Sequence, residues 1–284
     1  PPPPPPPFQA EDGIRDFLLS LVGSEMCIRD SIRSWREKPK LCPLPVGRAC
    51  SYYSRMREET GLNVLEIGPA GPPGCAVIWL HGLGADGHDF EPLIQQWGLA
   101  DELGARFILP HAPRRPVTLN GGMLMRAWYD IYDLGLGADE DRPGIAQAQQ
   151  QILGLIRREQ QRGIDSDRIL LAGFSQGGAI ALHTALRYRA ALAGVLALSS
   201  YLPLADSLAQ DRSADPSSLV IRMDHGDQDP VVAFSVAEYS RDLIEKQGYK
   251  VEFHRYPMQH SLCVPQMESL RNWIVQRLGQ AGAC

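Results

Sequence analysis

The chain has 284 residues, 44% of them hydrophobic and 21% charged, which is ample apolar material for one large core. Its 28 Lys and Arg against 33 Asp and Glu give a net charge of −5, and an acidic chain without a basic run is poorly suited to nucleic acid. No stretch approaches the roughly 18 apolar residues of a membrane-spanning helix, and six cysteines without a Cys-x-x-Cys pair point to a reducing, cytoplasmic home.

In chain order, residues 1–60 read differently from the rest and are expected to be an N-terminal extension, disordered and partly non-native. Pro1 to Pro7 can form only polyproline II or disorder, because proline has no amide hydrogen to give to a helix or sheet. The run from Phe8 to Asp16 resembles translated sequencing-adapter read-through, and the apolar piece at 17–22 is too short for a signal-peptide core. A single domain is expected over 61–279, followed by a tail at 280–284. Within it, residues 76–80 are an apolar run ending in His81-Gly82-Leu83-Gly84, and 106–110 are a second run before a Pro-rich loop. Residues 145–161 keep apolar positions at helical spacing (Ile145, Ala148, Ile152, Leu155, Ile156). A buried strand is expected at 168–173, a helix at 179–188, further strands at 194–199, 219–223 and 251–256, and a last helix at 265–278. Short apolar strands alternating with helices imply an α/β fold, a mostly parallel sheet covered on both faces.

The most specific motif is Gly173-Phe174-Ser175-Gln176-Gly177, a G-x-S-x-G set between an expected strand and an expected helix. A serine on so sharp a turn is lifted clear of the sheet but strained, so the residues two before and two after it must be small. The Gln176 amide then lies at a helix N-terminus, where free N–H groups favour negative charge. A serine needs a base, and the base needs an orienting carboxylate. Downstream of an elbow they follow as acid, then histidine. Asp229, just before Pro230, is the expected acid; Asp227 is the fallback, and a plain helix cap is the structural alternative for Asp229. His260, in a loop after the strand at 251–256, is the expected base. His183 and His254 read as structural residues, and His225 as fixing the acid loop. Acyl transfer also needs a second oxyanion donor besides the Gln176 amide, and Leu83 N–H, in the loop after an early strand, is the candidate. No His/Cys cluster has the spacing of a metal site, and no cofactor is expected. Cys263 reads as a small buried residue.

These residues, with Leu109-Pro110-His111-Ala112-Pro113, Asn120-Gly121-Gly122, Ala127-Trp128-Tyr129-Asp130 and Tyr256-Pro257-Met258-Gln259-His260, resemble the carboxylesterase/acyl-protein thioesterase family of α/β-hydrolases, over about 65–278. The Asn-Gly-Gly and Tyr-Pro-Met details look more like its bacterial carboxylesterase branch. The resemblance implies an α/β-hydrolase fold and a serine hydrolase acting on esters or thioesters of acyl chains. It implies Ser175, Asp229 and His260 as triad, Leu83 and Gln176 as oxyanion amides, and Trp128 and Tyr129 bordering the acyl groove. On residue chemistry alone Trp128 would be a core residue. Gly87-His88-Asp89 and Gln259 depart from common family patterns. The expected partner is a small-molecule ester or an acylated substrate; the oligomeric state stays open, with a homodimer among the outcomes. The competing readings are a non-catalytic binding module on the same fold and a peptide or C–C hydrolase of the same architecture.

Overall fold

The computed structural model describes residues 61–133, 139–213 and 215–279; the expected extension at 1–60 and tail at 280–284 lie outside them. The apolar runs of the sequence become the strands of one sheet: β1 (Asn63–Ile67), β2 (Cys75–Leu80), β3 (Ala105–His111), β6 (Ile169–Phe174), β7 (Gly194–Leu198), β8 (Val220–Gly226) and β9 (Lys250–Tyr256). A separate hairpin, β4 (Arg114–Val117) and β5 (Met123–Arg126), stands between the third and sixth strands in the chain. The sheet order is β1-β3-β2-β6-β7-β8-β9, parallel throughout except for the edge pair β1 and β3. The fold is thus α/β with a mostly parallel sheet.

Helices fill the crossovers: α1 (Glu91–Trp97), α2 (Leu99–Leu103), α3 (Arg142–Gln161), α4 (Gln176–Arg187), α5 (Phe234–Lys246) and α6 (Val264–Gly279). They cover both faces, and the period-2 alternation of the strands divides the core between them. Ala76, Ile78 and Leu80 of β2 join Ile152 of α3 and Ile180 of α4 in one apolar cluster. Their neighbours Cys75, Val77 and Trp79 join Leu93 of α1 and Leu270 of α6 in the other. Being buried on both sides is why these strands read as continuous apolar runs.

The expected elements lie within a few residues of those observed. Of the elements named above, β1, α1, α2, the β4–β5 hairpin and α5 were not anticipated. The last buries only Ala237, Ser240 and Ile244, a stripe too narrow and too polar to register as hydrophobic periodicity. In the hairpin, Met123 and Leu124 point to solvent (61% and 59% exposed), so no inside-outside pattern marks it as a pair of strands.

Candidate active site

Four connections leave the carboxyl ends of β2, β6, β8 and β9, the edge of a parallel sheet where ligands bind. Between β6 and α4 the chain turns at Ser175, whose backbone stands at φ 53°, ψ −121°. That left-handed conformation costs a non-glycine residue of the order of 1–3 kcal/mol, and the surroundings hold it in place. Ser175 N donates to Leu198 O at 2.8 Å, and Ser200 Oγ donates to Ser175 O at 2.8 Å. The flanking glycines are required by close approach. A Cβ at Gly177 would collide with Leu80 O and His81 O, and one at Gly173 would meet Gly178 N at 2.6 Å. A Cβ at Gly178 would lie 2.8 Å from Ser200 Cβ, so helix α4 packs as closely as the motif suggests.

The acid and base loops arrive already joined. Asp227 N donates to Tyr256 O at 2.9 Å and Gln228 N to Met258 O at 3.1 Å. Gly226 lies so close to the base loop that a Cβ there would collide with Met258 O. This places His260 (4% exposed) between Asp229 (7% exposed) and the serine. His260 Nδ1 donates to Asp229 Oδ2 at 2.7 Å, and Ser175 Oγ donates to His260 Nε2 at 2.9 Å. Residues 175, 229 and 260 therefore form one hydrogen-bonded line. The Phe174 ring, 4.8 Å from the imidazole, covers His260 on one side.

The second carboxylate oxygen is occupied by backbone. Asp229 Oδ1 accepts from Val231 N at 2.8 Å and Val232 N at 2.9 Å. This is a turn rather than a helix cap: α5 begins only at Phe234, so Pro230 does not open a helix as its position suggested. Asp227, the fallback acid, instead pairs with Arg255 on the surface. His225 fixes the loop as expected, its Nε2 donating to Val232 O at 2.8 Å and lying 3.4 Å from Asp229 Oδ2. Burial holds its pKa below the usual range, so it is a neutral strut. His183 is buried against Pro203 O at 3.5 Å, and burial lowers its pKa to about 4. His254 lies within β9.

The loop after β2 is fixed by its own histidine. The buried His81 Nε2 accepts from Ala112 N at 3.0 Å, which leaves the proton on Nδ1 to donate to Gly82 O at 2.7 Å. Burial pushes its pKa down to about 4. Gly82 lies against Ser175, with the site of a Cβ 3.5 Å from Ser175 Cβ. Gly87 is held to glycine by close approach, since a Cβ there would stand 2.5 Å from Leu109 O.

Trp128 and Tyr129, expected beside an acyl groove, are both buried; Trp128 is 0% exposed. The Tyr129 hydroxyl meets that of Tyr201 at 2.6 Å, and burial raises the pKa of both phenols, that of Tyr201 to about 12. Gln176 contributes more than a backbone amide. Its Oε1 accepts from Trp128 N at 2.9 Å, and its Nε2 donates to Tyr129 O at 2.8 Å. Among the described residues no group of three or more His, Cys, Asp or Glu could hold a metal ion, and no helix is long and apolar enough to cross a membrane.

A sequence profile described as phospholipase/carboxylesterase matches residues 66–278. The chain belongs to this family. It is 41% identical over 213 residues to acyl-protein thioesterase 1 of Neurospora crassa, covering 72% of this chain and 87% of that one. It is 37% identical to acyl-protein thioesterase 1 of Cryptococcus neoformans, covering 77% and 99%. Among solved structures, Zea mays acyl-protein thioesterase 2 superposes with a TM-score of 0.69 at 28% identity, over 76% of this chain and 99% of that one. The Bacillus cereus carboxylesterase, at 18% identity and a TM-score of 0.63 over 80% and 100%, shares the fold.

The side-chain roles of Gln176, His81, Phe174 and Ser200 were not legible in the sequence. Each depends on a contact between segments far apart in the chain, and no local pattern signals it.

Proposed function

We propose that this phospholipase/carboxylesterase-family member hydrolyses carboxylic esters or thioesters of acyl chains through an acyl-enzyme on Ser175. The observation that carries this reading is the line of hydrogen bonds from Ser175 Oγ through His260 to Asp229. With Nδ1 committed to the carboxylate, the Nε2 lone pair faces the hydroxyl and can take its proton. Ser175 Oγ then attacks the acyl carbonyl carbon while His260 becomes imidazolium, stabilised by Asp229. The negative oxygen of the tetrahedral intermediate is assigned to the amides of Gln176 and Leu83, one at the start of a helix and one in the loop beside the serine. The alcohol or thiol leaves with the proton from His260 Nε2. Water, deprotonated by the same nitrogen, attacks the acyl-enzyme, releases the acid and restores Ser175. Trp128 and Tyr129, both buried, are assigned to the layer behind the acyl groove, out of contact with the substrate. The names of the fungal and maize relatives favour an acyl thioester among the substrates. The free Cys75 and Cys263 suit a cytoplasmic location.

The test compares wild type with Ser175→Ala on p-nitrophenyl butyrate and on an acyl thioester, alongside labelling by a fluorophosphonate. Loss of the nucleophile should lower kcat by about 10⁴-fold or more and abolish labelling. Equal turnover and equal labelling of the two proteins would overturn the assignment.

A further inference from the structure

The two amides assigned to the oxyanion come from different elements, Gln176 at the start of α4 and Leu83 after β2, and their aim must agree for both to reach one oxygen. The structure joins them by buried side chains. The Gln176 carboxamide, 2% exposed, holds Trp128 N and Tyr129 O, as described above. The Trp128 indole N–H reaches across to His81 O at 2.9 Å, its ring 5.2 Å from the His81 ring. His81 then grips the next peptide: its Nδ1–H donates to Gly82 O at 2.7 Å. Gly82 O and Leu83 N–H belong to the same peptide unit. Because that unit is planar and trans, fixing the direction of its carbonyl fixes the opposite direction of its N–H. The His81 proton is placed on Nδ1 by Ala112 N, which occupies Nε2 at 3.0 Å.

We infer that the side chains of Gln176, Trp128 and His81 are positioning residues, a continuous strut that aims the Leu83 amide at the transition-state oxyanion. This deepens the esterase reading and rests on it. The strut touches neither the substrate nor His260, so it should act on stabilisation of developing charge and leave ground-state binding and the triad alone.

The decisive variant is Trp128→Phe, which keeps a large aromatic ring but removes the donor to His81 O. A folded variant should lose about 10- to 100-fold in kcat, less than the 10²–10³ reported for deleting an oxyanion donor outright. KM should stay within about twofold, and affinity for a trifluoromethyl ketone, which mimics the tetrahedral adduct, should fall by the same factor as kcat. The midpoint of the acid limb of kcat/KM should not move, since His260 keeps both partners. Gln176→Met, similar in shape but without the carboxamide, should behave alike, and it decides the matter if Trp128→Phe does not fold. Unchanged kcat overturns the inference, as does a kcat loss without a parallel loss of ketone affinity or a shifted acid limb. An inactive wild type would instead sink the esterase reading, whereas an active wild type, an inactive Ser175→Ala and a fully active Trp128→Phe sink the strut alone.

Discussion

At the scale of single residues, Asp229 shows how hydrogen-bond counting sets a tautomer. One oxygen accepts two backbone amides and the other accepts His260 Nδ1–H. In Asp229→Asn the remaining oxygen would stay with Val231 N and Val232 N, turning the NH2 group toward His260. Two donors cannot face each other, so the imidazole would have to carry its proton on Nε2 and could no longer accept from Ser175. The expected result is a fall of about 10⁴-fold in kcat near neutral pH with the fold intact; a loss below about tenfold would mean that another group orients His260. Ser175 and Asp229 were legible in the sequence because their constraints are local: two flanking glycines, and an acid in the loop that follows a strand. The burial of Trp128 was legible from residue chemistry, but its partners Gln176 and His81, 48 and 47 residues away, were not.

Between elements, one buried charge cluster ties α3 to the β1–β3 edge. The Glu159 side chain on α3 is 0% exposed and is paired with Arg106 on β3 and with Arg158 and Arg162, the arginines that also reach Glu66 on β1. Removing the central carboxylate would leave the guanidinium groups of Arg106, Arg158 and Arg162 converging beside Glu66 with one buried negative charge fewer. Glu159→Ala should therefore destabilise the protein by about 3 kcal/mol, read as a lower urea midpoint, while turnover per folded molecule stays at the wild-type value. An unchanged midpoint would show that the cluster contributes nothing. The sequence revealed α3 through its apolar spacing, and gave no hint of the charges that seat it. Ion pairs between distant segments leave no periodic trace.

For the molecule as a whole, buried neutral histidines set the response to acid. His81 and His183 each ionise near 4 in the folded chain against about 6.5 when exposed, because burial disfavours the cation. Between these values the unfolded chain binds more protons than the folded one, so stability rises with pH across the window and is level above it as far as these two groups are concerned. Each should withdraw about 3 kcal/mol by the time pH has fallen to about 4, at roughly 1.4 kcal/mol per unit. The melting temperature should drop steadily from pH 6.5 to 4.5, and His183→Leu should flatten the slope. A level melting curve over that range would contradict the burial argument.

The α/β class, the covered parallel sheet and the strand-to-helix elbow at Ser175 were determined by sequence alone. Apolar runs alternating with a helical period can bury themselves in few ways, and a G-x-S-x-G between them admits one sharp turn. The convergence of residues 175, 229 and 260, the tautomer of His81 and the peptide plane held beside Leu83 were decided only by tertiary structure. These depend on hydrogen bonds that close loops of tens of residues, and such bonds have direction and length but no footprint in neighbouring sequence.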